Sequence, residues 1–284
     1  MKTYLDCLPC MMQQALQAGR IATNDEKKIK ELLDTVGAMM KDIPMENTPS
    51  ETGEIIYRKI RDITGVNDPY KHIKESNINE ALFLYPELKE IVKKSDNRLL
   101  TAIRIAIAGN VIDLGMSKKF NIVEDVRKIL KQDFAILDFN EFVKHLGKAK
   151  SVLYLGDNAG ESVFDKILIE ELGKPVTFAV RDIPIINDVT FEDAVASGIN
   201  EVADIISSGS TAPATILSLC NNNFLKKFFN ADLIISKGQG NYEGLTNVKR
   251  PLFFLLKAKC HVIANDLNVK EDDIVLKGIY LNYV

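Results

Sequence analysis

Two stretches of the chain set carboxylates beside a carboxamide, the first of them among small residues: Gly156-Asp157-Asn158-Ala159-Gly160-Glu161 and Arg181-Asp182-Ile183-Pro184-Ile185-Ile186-Asn187-Asp188. Asp157, Asp188 and the amide of Asn158 make a set of hard oxygen donors without thiolate or imidazole. Such a set suits Mg²⁺ or Mn²⁺, ions that keep waters and accept phosphate oxygens as further ligands. Taken singly, Asp157-Asn158 is equally a turn with a helix cap, and Asp188 a solvated loop acid. Together, at neighbouring strand ends, they point to metal ligation. Glu161 is either a first-turn charge at a helix start or an acceptor for a ligand hydroxyl. A third stretch, Lys237-Gly238-Gln239-Gly240-Asn241, puts a mobile cation beside glycines whose N–H groups can approach an anion, the elements of a phosphate cradle. Its plain alternative is a surface turn. Ser208-Gly209-Ser210-Thr211, ahead of Pro213, presents N–H groups to phosphate or simply caps a helix. Arg181 bridges phosphate or, the favoured reading, holds Asp188 or Asp182 in an ion pair.

These residues need a scaffold that brings them together. After about residue 149 the sequence carries short β-branched runs, and the pattern predicts strands at Val152–Leu155, Val176–Val180, Val202–Ser207, Leu233–Ser236 and His261–Ala264. Most are too continuously apolar to have a wet face. Helices are predicted between them at Ser162–Leu172, Phe191–Ala196 and Pro213–Phe229, with another inside Leu252–Lys257. Buried strands alternating with helices imply an α/β fold, a Rossmann-like α/β/α layering of a doubly wound, mainly parallel sheet. Ligands of such sheets bind beyond the carboxyl ends of the strands. Five consecutive loops there, the last being Asn265-Asp266, carry polar or glycine-rich chemistry and converge on one crevice.

From residue 11 to about 145 the apolar positions recur at helical spacing. The expected division is a helical region at 1–148 and the α/β domain at 149–284. The very apolar run from Leu99 to Ala108 ends in Gly109-Asn110-Val111-Ile112-Asp113. Asn110 and Asp113 share a helix face, and either reach the crevice or satisfy the helix end.

A length of 284 residues allows about two domains. Lys and Arg number 36 against 39 for Asp and Glu, a net charge of −3. That balance leaves no excess of positive charge for a nucleic-acid backbone, so no nucleic-acid partner is expected. No apolar run is long enough to span a membrane and the first residues lack a signal-peptide pattern, so no membrane partner is expected and the chain reads as cytoplasmic. Four cysteines are too few for a disulfide scaffold. Cys7-Leu8-Pro9-Cys10 lacks the preceding strand of a thioredoxin-type site, and a zinc site would need two further ligands from Cys220, Cys260 or a histidine. Neither a Gly-x-Ser-x-Gly elbow nor a Walker loop is present, which disfavours serine hydrolases and P-loop enzymes.

Taken in order along the chain, Cys7-Leu8-Pro9-Cys10, Ala108-Gly109-Asn110-Val111-Ile112-Asp113 and the stretches at 156–161, 181–188 and 237–241 resemble the DUF89 family of damage-control phosphatases with an ARMT1-like metal-binding domain. The Cys-x-x-Cys is similar to that of its mainly prokaryotic subfamily. The Arg-Thr-x-Lys element of the eukaryotic branch is missing. The resemblance implies a phosphatase dependent on a divalent ion (Mn²⁺, Co²⁺, Ni²⁺ or Mg²⁺) and acting on a small phosphorylated metabolite, a sugar phosphate or a damaged phosphometabolite. It places Asp157, Asn158 and Asp188 at the metal, and Asp157 and Lys237 at the reaction, with either water or the Asp157 carboxylate as nucleophile. Glu161, Asn110, Asp113, Arg181, Ser208, Gly209, Lys237, Gly238, Gln239, Gly240 and Asn241 become the candidate substrate contacts. Two other readings remain: a SAM-dependent methyltransferase, whose cofactor loop Gly156–Gly160 would imitate, and a metal- or redox-responsive binding protein using Cys7 and Cys10.

Overall fold

The computed structural model describes residues 1–109 and 128–281. Seven strands form one sheet: β1 (Phe134–Leu137), β2 (Val152–Leu155), β3 (Val176–Val180), β4 (Asp204–Ser207), β5 (Leu233–Lys237), β6 (Leu252–Lys257) and β7 (Ile274–Ile279), in the spatial order β1-β7-β6-β5-β2-β3-β4. All neighbours are parallel except β6 and β7. The helices are α1 (Cys7–Ala22), α2 (Glu26–Met40), α3 (Pro49–Thr64), α4 (Lys71–Lys94), α5 (Arg98–Gly109), α6 (Phe139–Lys148), α7 (Ser162–Leu172), α8 (Phe191–Ala196), α9 (Asn222–Asn230), α10 (Gly238–Leu245) and α11 (His261–Leu267).

Because strand side chains alternate between faces, the continuous apolar runs feed two cores. Val152, Tyr154, Phe178, Ile235, Phe253 and Leu276 join one, beneath α4, α5 and α7. Leu153, Leu155, Ile234, Phe254 and Val275 join the other, with Phe224 and Phe228 of α9 and Tyr242 and Leu245 of α10. Helices α1 to α3 form a third cluster, whose residues Met11, Leu32, Val36, Ile56 and Tyr57 pack against Ile185, and so seat the helical region on the loop that carries Asp188. A capping box starts α3: the Thr48 hydroxyl accepts from the Glu51 amide at 3.2 Å, and the Glu51 carboxylate accepts from the Thr48 amide at 2.7 Å. Among the described residues no helix is long and apolar enough to cross a membrane.

The predicted helix inside Leu252–Lys257 is a strand, and the predicted strand His261–Ala264 is a helix. Leu252 to Leu256 are all buried, a state open to a central strand with a core on each face. Four residues from His261 were too few to reveal a helical period, which shows once Leu267 is included. The predicted helix Pro213–Phe229 is broken: a 3₁₀ turn occupies Leu217–Leu219, and α9 starts after Asn221, whose side chain accepts from the Phe224 amide at 2.9 Å. Strand β4 starts at Asp204 rather than Val202, and β1 and β7 add strands at the sheet's end, β1 from within the stretch expected to be helical.

Candidate active site

The chain runs β2, β3, β4 to one side of the sheet and then returns to place β5 on the other side of β2. The β2/β5 boundary is therefore the topological switch point, where the loops leaving the two strands diverge and open a crevice. Asp157 follows β2 and Gly238 follows β5, so the first and third stretches meet there.

They meet at close range. Gly238 has φ +79°, and a Cβ built on it would lie 1.9 Å from Oδ2 of Asp157. Only glycine admits this backbone conformation easily and leaves the space that the carboxylate fills. The Asp188 loop joins through backbone pairing: Val189 N–H donates to Asp157 O at 2.8 Å, Ala159 N–H donates to Asn187 O at 2.9 Å, and Asn158 and Asp188 form an isolated antiparallel bridge. Asp157, Asn158 and Asp188 are thus gathered and nearly buried, with exposures of 7%, 6% and 4%. The Asn158 amide donates to Asp157 Oδ2 at 3.1 Å and to Glu161 Oε2 at 3.2 Å. Gly160 packs on α4, where a Cβ would meet Asn77 Cβ at 2.8 Å.

Burial, with the charges of Glu161 and Asp188, raises the Asp157 carboxyl well above the usual carboxylate range, against weaker opposite pulls from Lys259 and Arg181. Among the described residues no three His, Cys, Asp or Glu side chains form a ready metal-binding group. Two carboxylates and one carboxamide are a different set, and their chemistry fits a hard divalent cation: oxygen donors only, with buried acids whose mutual repulsion a cation relieves.

Behind this group lies a cation that the spacing predicts to be mobile. The fold pins it. Lys237 is fully buried, and its ammonium donates to Ala106 O at 2.8 Å, to Asp165 Oδ1 at 2.6 Å and to Glu161 Oε1. These partners use its three donors. Burial lowers the Lys237 pKa, but Asp165 and Glu161 outweigh it and the net shift is upward. Asp165 also accepts from the Tyr154 hydroxyl at 2.8 Å, while its Oδ2 is buried without a hydrogen-bond partner. Burial raises the Asp165 carboxyl, partly offset by Lys237. Asp165 and Tyr154 are not among the residues expected at the site from the sequence. The available signal was one acid within the apolar run Val163-Phe164-Asp165-Lys166-Ile167-Leu168.

Arg181 takes the ion-pair reading: its Nε donates to Asp188 Oδ2 at 2.7 Å, while Nη1 donates to Thr215 at 3.3 Å and Nη2 to Asn241 Oδ1 at 3.1 Å. Asp182 instead accepts from the Ser207 hydroxyl at 2.6 Å. Asn241 ties the strand ends together, donating to Gly156 O at 3.1 Å and to Lys237 O at 2.8 Å. Ser208 donates to Val180 O at 2.8 Å, and Gly209, with φ +80°, lies against Asn221. Gly240 packs against the Pro213 carbonyl, and Gln239 turns toward Glu243 and Cys260. The segment predicted as a loop at 238–241 is the first turn of α10, and Asn265-Asp266, expected at the crevice, belongs to α11. Asn110 and Asp113 lie outside the described residues; Gly109, just before them, stands against Glu161 and Phe164.

Residues 3–275 match the family described as the damage-control phosphatase ARMT1-like domain. The chain is 36% identical to an uncharacterized protein of Methanocaldococcus jannaschii, the match covering 95% of this chain and 93% of that one. It is 34% identical to a damage-control phosphatase of Pyrococcus horikoshii, over 97% of each chain. A crystal structure of a DUF89 family protein from Pyrococcus horikoshii superposes with a TM-score of 0.87 at 32% identity, covering 97% of this chain and 98% of the other.

Proposed function

The chain belongs to the damage-control phosphatase ARMT1-like family, and from that premise we propose that it is a divalent-metal-dependent phosphatase acting on small phosphorylated metabolites. The observation that carries this reading is the meeting of Asp157, Asn158 and Asp188 at the β2/β5 switch point, against the first turn of α10. Asp157, Asn158 and Asp188 would hold the ion. A bound divalent ion supplies positive charge to the phosphoryl oxygens.

The protein's own residues do the rest by position and charge. Arg181 fixes the Asp188 carboxylate through a buried ion pair, so the acid is positioned by the fold rather than by a solvated loop. Asn158, held by Asp157 and Glu161, is set in one orientation. Gly238, Gln239 and Gly240 form the first turn of α10, where backbone N–H groups lack helix partners and favour an anion. Lys237 acts as a positioning cation: it locks Glu161 and adds a fixed positive charge to a crowded acidic site. Preorganised charge of this kind needs no rearrangement as the reaction proceeds.

The test is phosphate release from a panel of sugar phosphates after chelation and re-addition of Mn²⁺, Co²⁺, Ni²⁺ or Mg²⁺. Release that disappears on chelation and returns with one of these ions supports the reading. Release unaffected by chelation removes the metal dependence, and no release from the folded protein with any ion removes the phosphatase.

A further inference from the structure

Cys7 and Cys10, at the start of α1, take no part in the site above. Two elements distant in sequence come to them. Cys260 and His261, where α11 begins, line the same cleft of about 270 Å³ as Cys7 and Cys10, with Asp6 and Glu243 on its walls. The remaining cysteine is elsewhere: Cys220 donates to Ile216 O at 3.3 Å. The fold therefore selects Cys260 and His261 from the residues that could complete a Cys-x-x-Cys pair.

The three thiols are electrostatic neighbours. Burial raises the Cys7 thiol, a hydrogen bond with the Tyr4 backbone lowers it, and the proximity of Glu243, Cys10 and Cys260 raises it further. Mutual repulsion among prospective anions is what a bound cation cancels. Access is open, since Cys10 is exposed and the His261 side chain is 54% exposed. His261 also has carboxylates to orient its ring, with Nε2 3.3 Å from Asp6 Oδ1 and Nδ1 3.9 Å from Glu271 Oε1. Either ring nitrogen can serve a metal while the other is held by an acid, the usual support for a histidine ligand.

We propose that Cys7, Cys10, Cys260 and His261 form a binding site for a thiophilic cation of the Zn²⁺ class, separate from the Asp157 centre. Three thiolates with one imidazole make a common tetrahedral zinc set, and two residues between the first pair fits its usual spacing. The four side chains are not gathered into a metal-holding group as folded, so the ion has to draw them together as it binds. Each thiol that ligates releases its proton to solvent. Gln239 and Gly240 also line the cleft, so it adjoins the first turn of α10, and Gln239 Nε2 lies 3.6 Å from Cys260 Sγ and 3.3 Å from Glu243 Oε1.

The test uses the full chain, reduced and stripped of metal, titrated with Co²⁺ and observed by absorption. Thiolate ligation gives a near-ultraviolet charge-transfer band, which oxygen ligands at Asp157 do not produce. The expected result is a band in the wild type, in Cys220→Ser and in Asp157→Ala, its loss in Cys7→Ser and in Cys260→Ser, and its displacement by Zn²⁺. No band in the wild type, or a band that survives Cys260→Ser, overturns the site. Alkylation of the wild type followed by peptide mapping needs no variant to fold: Zn²⁺ should protect Cys7, Cys10 and Cys260 and leave Cys220 unchanged. Equal labelling of all four with and without Zn²⁺ also overturns it.

Discussion

The space that a methyl group would occupy on residue 238 is filled by the carboxylate of Asp157. Gly238→Ala therefore has to displace a candidate metal ligand and adopt a φ of +79° that costs roughly 1–2 kcal/mol with a Cβ. Activity should fall far more than stability, a split visible by comparing phosphate release with thermal unfolding. Lys237 makes the opposite demand. Lys237→Met leaves Glu161 and Asp165 buried without their cation, and urea unfolding should show a loss of about 3–5 kcal/mol. Glu243 supplies a pH signature. Burial lifts its carboxyl from the ordinary 4.5 to about 7, against hydrogen bonds from Ser50 and Gln239 and the charge of the N-terminal amine. Its proton is held more tightly in the folded than in the unfolded state. This group's contribution is thus fully favourable below the unfolded value and is lost as pH rises toward the folded one, by up to about 3 kcal/mol. Glu243→Gln should flatten that part of the stability profile; an unchanged slope between pH 4.5 and 7 would show that Glu243 does not carry it. The acids at 157 and 188 were legible because residue type and strand-end position suffice to suggest them. The contacts of Gly238 and Lys237 were not, because they join residues from 72 to 131 positions apart.

Helices and strands separate by period only when a segment is long enough to display one. Strands β2 and β3 and helices α7 and α8 stand where their periods place them. Leu252–Lys257 failed that criterion because an apolar run without gaps fits a buried strand and a buried helix equally. In a strand, successive side chains point to opposite faces of the sheet. Phe253 and Phe254 are adjacent, yet they enter opposite cores, Phe253 meeting Phe142 edge-on with ring centroids 5.2 Å apart and Phe254 meeting Tyr242 at 4.9 Å. Phe253→Ala and Phe254→Ala should each cost about 3–5 kcal/mol in denaturant unfolding. A cost confined to one of the two would contradict their burial in separate cores. At the other end of the chain, α3 begins on a capping box recognisable from Thr48-Pro49-Ser50-Glu51, and Thr48→Ala should lower stability by about 1 kcal/mol in the same experiment.

The whole molecule converts sheet order into a site. With β5 returning beside β2, loops from distant parts of the sequence reach one crevice, and the α1–α3 bundle closes on the loop of Asp188 through Ile185. Alternation of strands and helices announced a doubly wound sheet, but the antiparallel β7 and the edge strand β1 depend on pairing partners that no local pattern encodes. The same global arrangement sends Cys260 and His261 to Cys7 and Cys10, a meeting invisible from spacing alone. The oxygen donors at the switch point are proposed to carry a metal-dependent phosphatase reaction. Its most direct test is the rate of phosphate release from an aryl phosphate at saturating Mn²⁺ for the wild type and for Asp157→Asn, with circular dichroism confirming the fold of each. The expected loss is roughly 10²-fold or more, the scale of removing one preorganised stabilising group from a reacting centre. A folded Asp157→Asn protein that keeps the wild-type rate would contradict it.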